Sequence, residues 1–171
     1  MTAEPLWLSD ARGQLGLHET AGPLSTPELE ALWRSLPGGA WYWEHFGGDD
    51  SKLPWCGAFL AWIMRRQSIG IPQRYASAIE WLRWGRKIDA PAVGCVVVFK
   101  RPGGAHVALV IGRREDGWLY CLGGNQKDSV CILAFDPERA EGYRWPLGEP
   151  PPPRAALPTL ALGVTTSRNE A

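Results

Sequence analysis

The sequence predicts an α+β fold in which helices pack on an antiparallel sheet, and three observations carry that expectation. Apolar residues recur at helical spacing between start and stop signals through the first half of the chain. From residue 94 onward the pattern changes to short apolar runs, and Gly-containing turns separate them. Helices first and strands second is the order of an α+β domain. At 171 residues the chain is long enough to bury about two-thirds of its unfolded surface in one core. A single domain is expected over 1–146. The stretch 147–171, rich in Pro and Ala and without periodicity, is expected to be a disordered tail.

A first helix is expected within 6–17. Ser25-Thr26-Pro27-Glu28 then gives a cap hydroxyl, a proline at the first helical position and an early acid, followed by Leu29, Leu32, Trp33 and Leu36 at helical spacing. Pro37-Gly38-Gly39 ends that helix, and 41–50 reads as an aromatic loop leading to Pro54. The next helix should run from Cys56 to about Gln67. Its residues 58–64, Ala-Phe-Leu-Ala-Trp-Ile-Met, leave no polar face, so it should be the helix buried against the sheet. A further helix is expected over 76–84, stopped by Gly85. Strands are expected over 95–100, 106–112, 118–122 and 129–135, with a short one at 143–145 closing the sheet.

Composition narrows the partners. Lys plus Arg equals Asp plus Glu at 18 each, so no net charge draws the chain to nucleic acid or to a membrane surface. The N-terminus has no basic segment followed by an apolar one, and no apolar run approaches the length of a membrane span. Synthesis in the cytoplasm without a cleaved signal is expected, with no membrane insertion. The four cysteines, Cys56, Cys95, Cys121 and Cys131, form no C-x-x-C pair, so neither a metal site nor any cofactor is expected. Cys95, Cys121 and Cys131 lie in β-type runs and read as small core residues.

Cys56 differs because it stands at a helix start. Unpaired N–H groups and the helix dipole there favour thiolate over thiol, and such cysteines have pKa values of about 3.5 to 7.5. A nucleophilic thiol needs a base, and the base needs an orienting group. Of the three histidines, His18 and His45 read as surface or capping residues. His106 opens the most apolar strand directly after a Gly-Gly turn. The neighbouring strand ends in Gly123-Gly124-Asn125-Gln126, so Asn125 is the expected orienting residue, with Gln126 and Asp128 as substitutes.

Cysteine, then histidine about fifty residues later, then asparagine after one more strand, on a helix-then-sheet layout, resembles the papain-like cysteine amidohydrolases of the bacterial cell wall, the NlpC and CHAP superfamily. The resemblance is closest to a phage- and effector-associated branch. It rests on Pro54-Trp55-Cys56, Ala105-His106-Val107, Leu122-Gly123-Gly124-Asn125-Gln126 and Gly142-Tyr143-Arg144-Trp145-Pro146, and covers about residues 5–146. It implies Cys56 as nucleophile, His106 as general base and then acid, and Asn125 as orienting residue. Many CHAP enzymes have an acid where this chain has Gly123, and some have a calcium-binding acidic loop that Asp49-Asp50 does not reproduce, so no metal requirement is expected.

The implied substrate is peptidoglycan, cleaved at a stem-peptide amide. A γ-D-glutamyl–diaminopimelate endopeptidase is the first reading. An N-acetylmuramoyl-L-alanine amidase, a papain-like acyltransferase and a non-catalytic wall-binding module are the alternatives. Trp41, Trp43 and Trp55 flank the nucleophile in chain order and are expected to line the cleft and stack on glycan or peptide; Gly104 and Gln126 complete the expected substrate-binding set. Trp33, Trp62, Trp81 and Trp84 read as core. The resemblance further implies action in the periplasm or cell wall after phage lysis or delivery by a secretion-system carrier. In the delivered case a cognate immunity protein is a partner.

Overall fold

The computed structural model describes residues 4–20, 25–152 and 156–167, and in it the main helices precede the main strands. The helices are α1 (Leu6–Arg12), α2 (Pro27–Ser35), α3 (Gly39–His45) and α4 (Cys56–Arg66). The strands are β1 (Arg86–Ile88), β2 (Val96–Arg101), β3 (Gly104–Arg113), β4 (Leu119–Gly123), β5 (Cys131–Phe135) and β6 (Ala140–Trp145). They form one sheet in the order β1-β6-β2-β3-β4-β5, and every neighbouring pair is antiparallel. The α+β class expected from the change of period is the class observed.

β2, β3 and β4 sit in the middle of this order and are apolar almost without interruption. Val96 to Phe99, Val107 to Ile111 and Leu119 to Leu122 are all buried, as strands covered on both faces must be. α4 packs on β3 and β4. An isolated eleven-residue helix is marginal in water, and α4 has no side-chain cap, so burial holds it. Phe59, Leu60, Ile63 and Met64 are each fully buried, and each contributes about 1.5–3 kcal/mol. α1 is tied to the same core through Trp7, which meets Trp145 edge to face at 5.2 Å and donates its indole N–H to the Gly94 carbonyl at 2.7 Å.

Several expectations are corrected. The aromatic stretch after Gly39 is helical: Gly38 takes φ 69°, which reverses the chain, and the residues after it contain no breaker until the glycines at 47 and 48. Thr26 is the N-cap of α2, but its hydroxyl donates to the His18 carbonyl at 2.8 Å instead of capping the helix. The segment near 76–84 is a 3-10 turn, Ala78–Arg83. β6 does not close the sheet; it lies between β2 and β1, a three-residue edge strand, Arg86-Lys87-Ile88, whose single apolar residue gave no apolar run to read.

Within 147–171, residues 156–167 are not free of structure. Leu160 N–H donates to the Arg113 carbonyl at 2.8 Å, Ser167 N–H to the Ala134 carbonyl at 2.8 Å, and Leu157, Leu160, Leu162 and Val164 pack on the core. A proline-rich segment without periodicity can still dock by single backbone bonds and spaced leucines. Residues 153–155 and 168–171, which belong to the same expectation, lie outside the described residues.

Candidate functional site

Cys56 opens α4, with Trp55 as the N-cap residue and Phe59 N–H bonding to the Trp55 carbonyl at 2.8 Å. Trp55 fixes this corner. Its fully buried ring meets Phe59 edge to face, and its indole N–H donates to Glu19 Oε2 at 2.9 Å. Glycine is required opposite. A Cβ on Gly124 would lie 2.6 Å from Phe59 Cβ and 2.7 Å from the Trp55 ring, so only glycine lets the end of β4 approach the start of α4 this closely.

β3 reaches beyond β4. The two strands pair from Leu109 onward, so the leading half of β3 projects past the end of β4 toward the start of α4. The backbone N–H of Val107, next to His106, acts to stabilise the charged form of the Cys56 sulfur. This interaction couples the thiol to the histidine strand. His106 is 2% exposed, and its ring stacks on Phe135 at 5.6 Å and 6°.

His106 Nε2 bonds Gln126 Oε1 at 2.9 Å. Gln126 is fully buried, and its Nε2 donates to the Cys131 carbonyl at 2.7 Å. A carbonyl can only accept, so the amide nitrogen must face Cys131 and the amide oxygen must face the imidazole. Nε2 of His106 therefore carries the hydrogen, and Nδ1 is the basic nitrogen of the neutral ring. The backbone of Gln126 is pinned too: its N–H donates to the Ser129 carbonyl at 2.9 Å, and its carbonyl accepts from Ser129 Oγ at 2.9 Å.

The side chain bonded to the His106 ring is thus Gln126 and not Asn125. Asn125 takes φ 56°, a left-handed conformation that asparagine tolerates well, and it faces a cleft. It is the turn residue that lets Gln126 point inward with a side chain long enough to reach His106. Gln126, also named in the expected substrate-binding set, is fully buried. Asp128, the other substitute, lines the same cleft as Asn125.

The tryptophans divide differently from their order in the chain. Trp43 is 3% exposed and Trp55 is fully buried, so neither offers a ring face to a ligand. Trp41 is 60% exposed and stacks on His45 at 4.7 Å on the surface of α3. Gly104 is exposed at the β2–β3 turn, where the Arg101 side chain lies over it.

The cleft measures about 180 Å³ and is lined by Glu19, Lys52, Pro54, Arg101, Asn125 and Asp128 among others. A larger cleft of about 820 Å³, between α1, Trp145 and Leu160, contains none of these residues. Burial pushes the Cys56 thiol up from its ordinary value; the N–H groups of Val107 and Gly57 and the Arg101 guanidinium oppose this. The expected depression at a helix start is thus outweighed by loss of water around the sulfur. Burial likewise pushes the Glu19 carboxyl up, against the Trp55 N–H, and the charges of Asp128, Asp50 and Asp49 add to the rise. Among the described residues no three His, Cys, Asp or Glu side chains cluster as metal ligands, and no helix is long and apolar enough to cross a membrane.

Sequence reasoning did not single out Arg101, and it left the role of Glu19 open. The signal for Arg101 was a cation ending an apolar strand at the turn that leads to His106. For Glu19 there was none, since its partner Trp55 is remote in the chain.

The family model of the CHAP domain matches residues 48–125, a stretch that includes Cys56, His106 and Asn125 and stops one residue short of Gln126. No curated protein and no solved structure matches the chain.

Proposed function

We propose that the chain, whose residues 48–125 match the CHAP domain model, is a peptidoglycan hydrolase of the NlpC and CHAP superfamily that cleaves stem-peptide amides with a Cys56–His106–Gln126 constellation. One observation carries the reading. His106 is held through Nε2 by the buried amide of Gln126 at 2.9 Å, and the backbone N–H of Val107 beside it favours the charged form of the Cys56 sulfur.

In the proposed reaction His106 Nδ1 takes the proton of Cys56 as the sulfur attacks the amide carbonyl, and a C–S bond forms. Burial disfavours the bare thiolate, so in the proposed reaction proton transfer to His106 accompanies attack. The tetrahedral oxyanion is met by N–H groups of the first turn of α4, which have no intrahelical acceptors. Imidazolium His106 then returns the proton to the departing nitrogen as the C–N bond breaks. Water, deprotonated by the same Nδ1, hydrolyses the thioester, and Cys56 recovers its proton. Gln126 Oε1 accepts from Nε2–H throughout, so the ring keeps one orientation as its charge changes.

The bond we assign is that between γ-D-glutamate and diaminopimelate. A cleft with Arg101 and Lys52 on one hand and Glu19 and Asp128 on the other suits a segment carrying both carboxylates and an ammonium. Purified sacculi incubated with the wild type should lose turbidity, and with Cys56→Ala or His106→Ala they should not. Equal clearing by all three proteins would remove the proposal.

A further inference from the structure

Arg101 ends β2 opposite Gly104, in the hairpin that leads to His106. Its Nε is buried without a hydrogen-bond partner among the described residues, although an arginine presents its donors in a fixed fork and seldom leaves them unused when buried. The side chain lines the cleft with Asn125, Lys52 and Pro54, and its charge acts on the Cys56 sulfur. A guanidinium that lines a cleft, has an unused donor and acts by its charge on the nucleophile suits a planar anion.

We propose that Arg101 is a specificity-determining residue that binds a free carboxylate of the acyl group being transferred to Cys56. This rests on the hydrolase reading for its natural substrate. In a γ-D-glutamyl amide the acyl residue carries an unlinked α-carboxylate at its other end, whereas the acyl group of an N-acetylmuramoyl-L-alanine bond has none. Arg101 thereby selects the first bond over the second, and a glutamyl α-carboxylate over its carboxamide.

Two measurements on the full chain test this. The first compares alkylation of Cys56 by iodoacetate and by iodoacetamide, probes that differ by one carboxylate, in the wild type and in Arg101→Gln. The ratio of the two rates should fall on the order of tenfold in R101Q and be largely restored in R101K. A ratio unchanged by R101Q overturns the proposal, whatever the protein does to peptidoglycan. The second compares muropeptides with a free α-carboxylate and with an α-carboxamide. The wild type should prefer the carboxylate on the order of ten- to a hundredfold in kcat/KM, and R101Q should lose that preference chiefly through KM. An equal loss on both substrates would mark Arg101 as merely structural and overturn the proposal. Cleavage of neither muropeptide, with the alkylation ratio still dependent on Arg101, would instead remove the hydrolase reading and leave carboxylate recognition standing.

Discussion

Replacing Gln126 by Ala removes the acceptor at His106 Nε2 and the donor to the Cys131 carbonyl, both in a fully buried place. Each group left unpaired costs about 1–3 kcal/mol, so the variant should lose about 2–6 kcal/mol of stability. Its urea midpoint fixes the temperature at which activity is compared on folded protein. Loss of the bond that holds the imidazole should raise the activation barrier by about 1.5–3 kcal/mol, a fall in kcat on the order of ten- to a hundredfold with KM little changed. Asn125→Ala should lower kcat by less than about threefold, because Asn125 lines the cleft and has no part in the Gln126–His106 bond. The assay is steady-state release of new amino termini from a soluble muropeptide by both variants. The reasoning is refuted if Asn125→Ala lowers kcat as far as Gln126→Ala does, or if Gln126→Ala leaves kcat within about twofold of wild type.

Gly124→Ala places a Cβ 2.6 Å from Phe59 and 2.7 Å from Trp55, and this overpacking should lower stability by about 1–3 kcal/mol, seen as a lower urea midpoint. Burial raises the thiols of Cys56, Cys95 and Cys121 above 9.0 in the folded state, so the unfolded chain gives up these protons first. Their contribution is full below about pH 9 and is lost as the pH rises toward the folded values; the urea midpoint should fall between about pH 8 and pH 10.5, and a rise would contradict the assignment. Deleting residues 156–171 removes the bonds of Leu160 to Arg113 and Ser167 to Ala134 together with the packing of Leu157 and Leu160, and the melting temperature should drop by several degrees; an unchanged value would mean that the segment contributes nothing to the fold.

The class of fold was legible because period and punctuation agree over most of the chain. α4 could be read from residues 58–64 alone, and the hairpin of β2 and β3 from Pro102-Gly103-Gly104. What escaped the sequence depends on contacts remote in the chain. β1 is strand only because β6 pairs with it, register Arg86 to Trp145, and of its own residues only Ile88 is apolar. Residues 156–167 are held by partners at 113 and 134, to which no local pattern points. At the site, Cys56 and His106 announce themselves by a helix start and a Gly-Gly turn. The exchange of Asn125 for Gln126 turns on one backbone angle, φ 56° at Asn125, and on the reach of one side chain. Among the tryptophans, chain proximity to Cys56 was a poor guide: Trp55 adjoins the thiol in sequence yet spends its indole N–H on Glu19 inside the core.

The central claim is that Cys56 attacks a stem-peptide amide. It is met most directly by digesting purified sacculi with the wild type and with Cys56→Ala and identifying the new termini by mass spectrometry. The account predicts γ-glutamyl carboxyl termini paired with free diaminopimelate amines in the wild-type digest and neither in Cys56→Ala; muropeptides unchanged by the wild type, or the same new termini from Cys56→Ala, would contradict it.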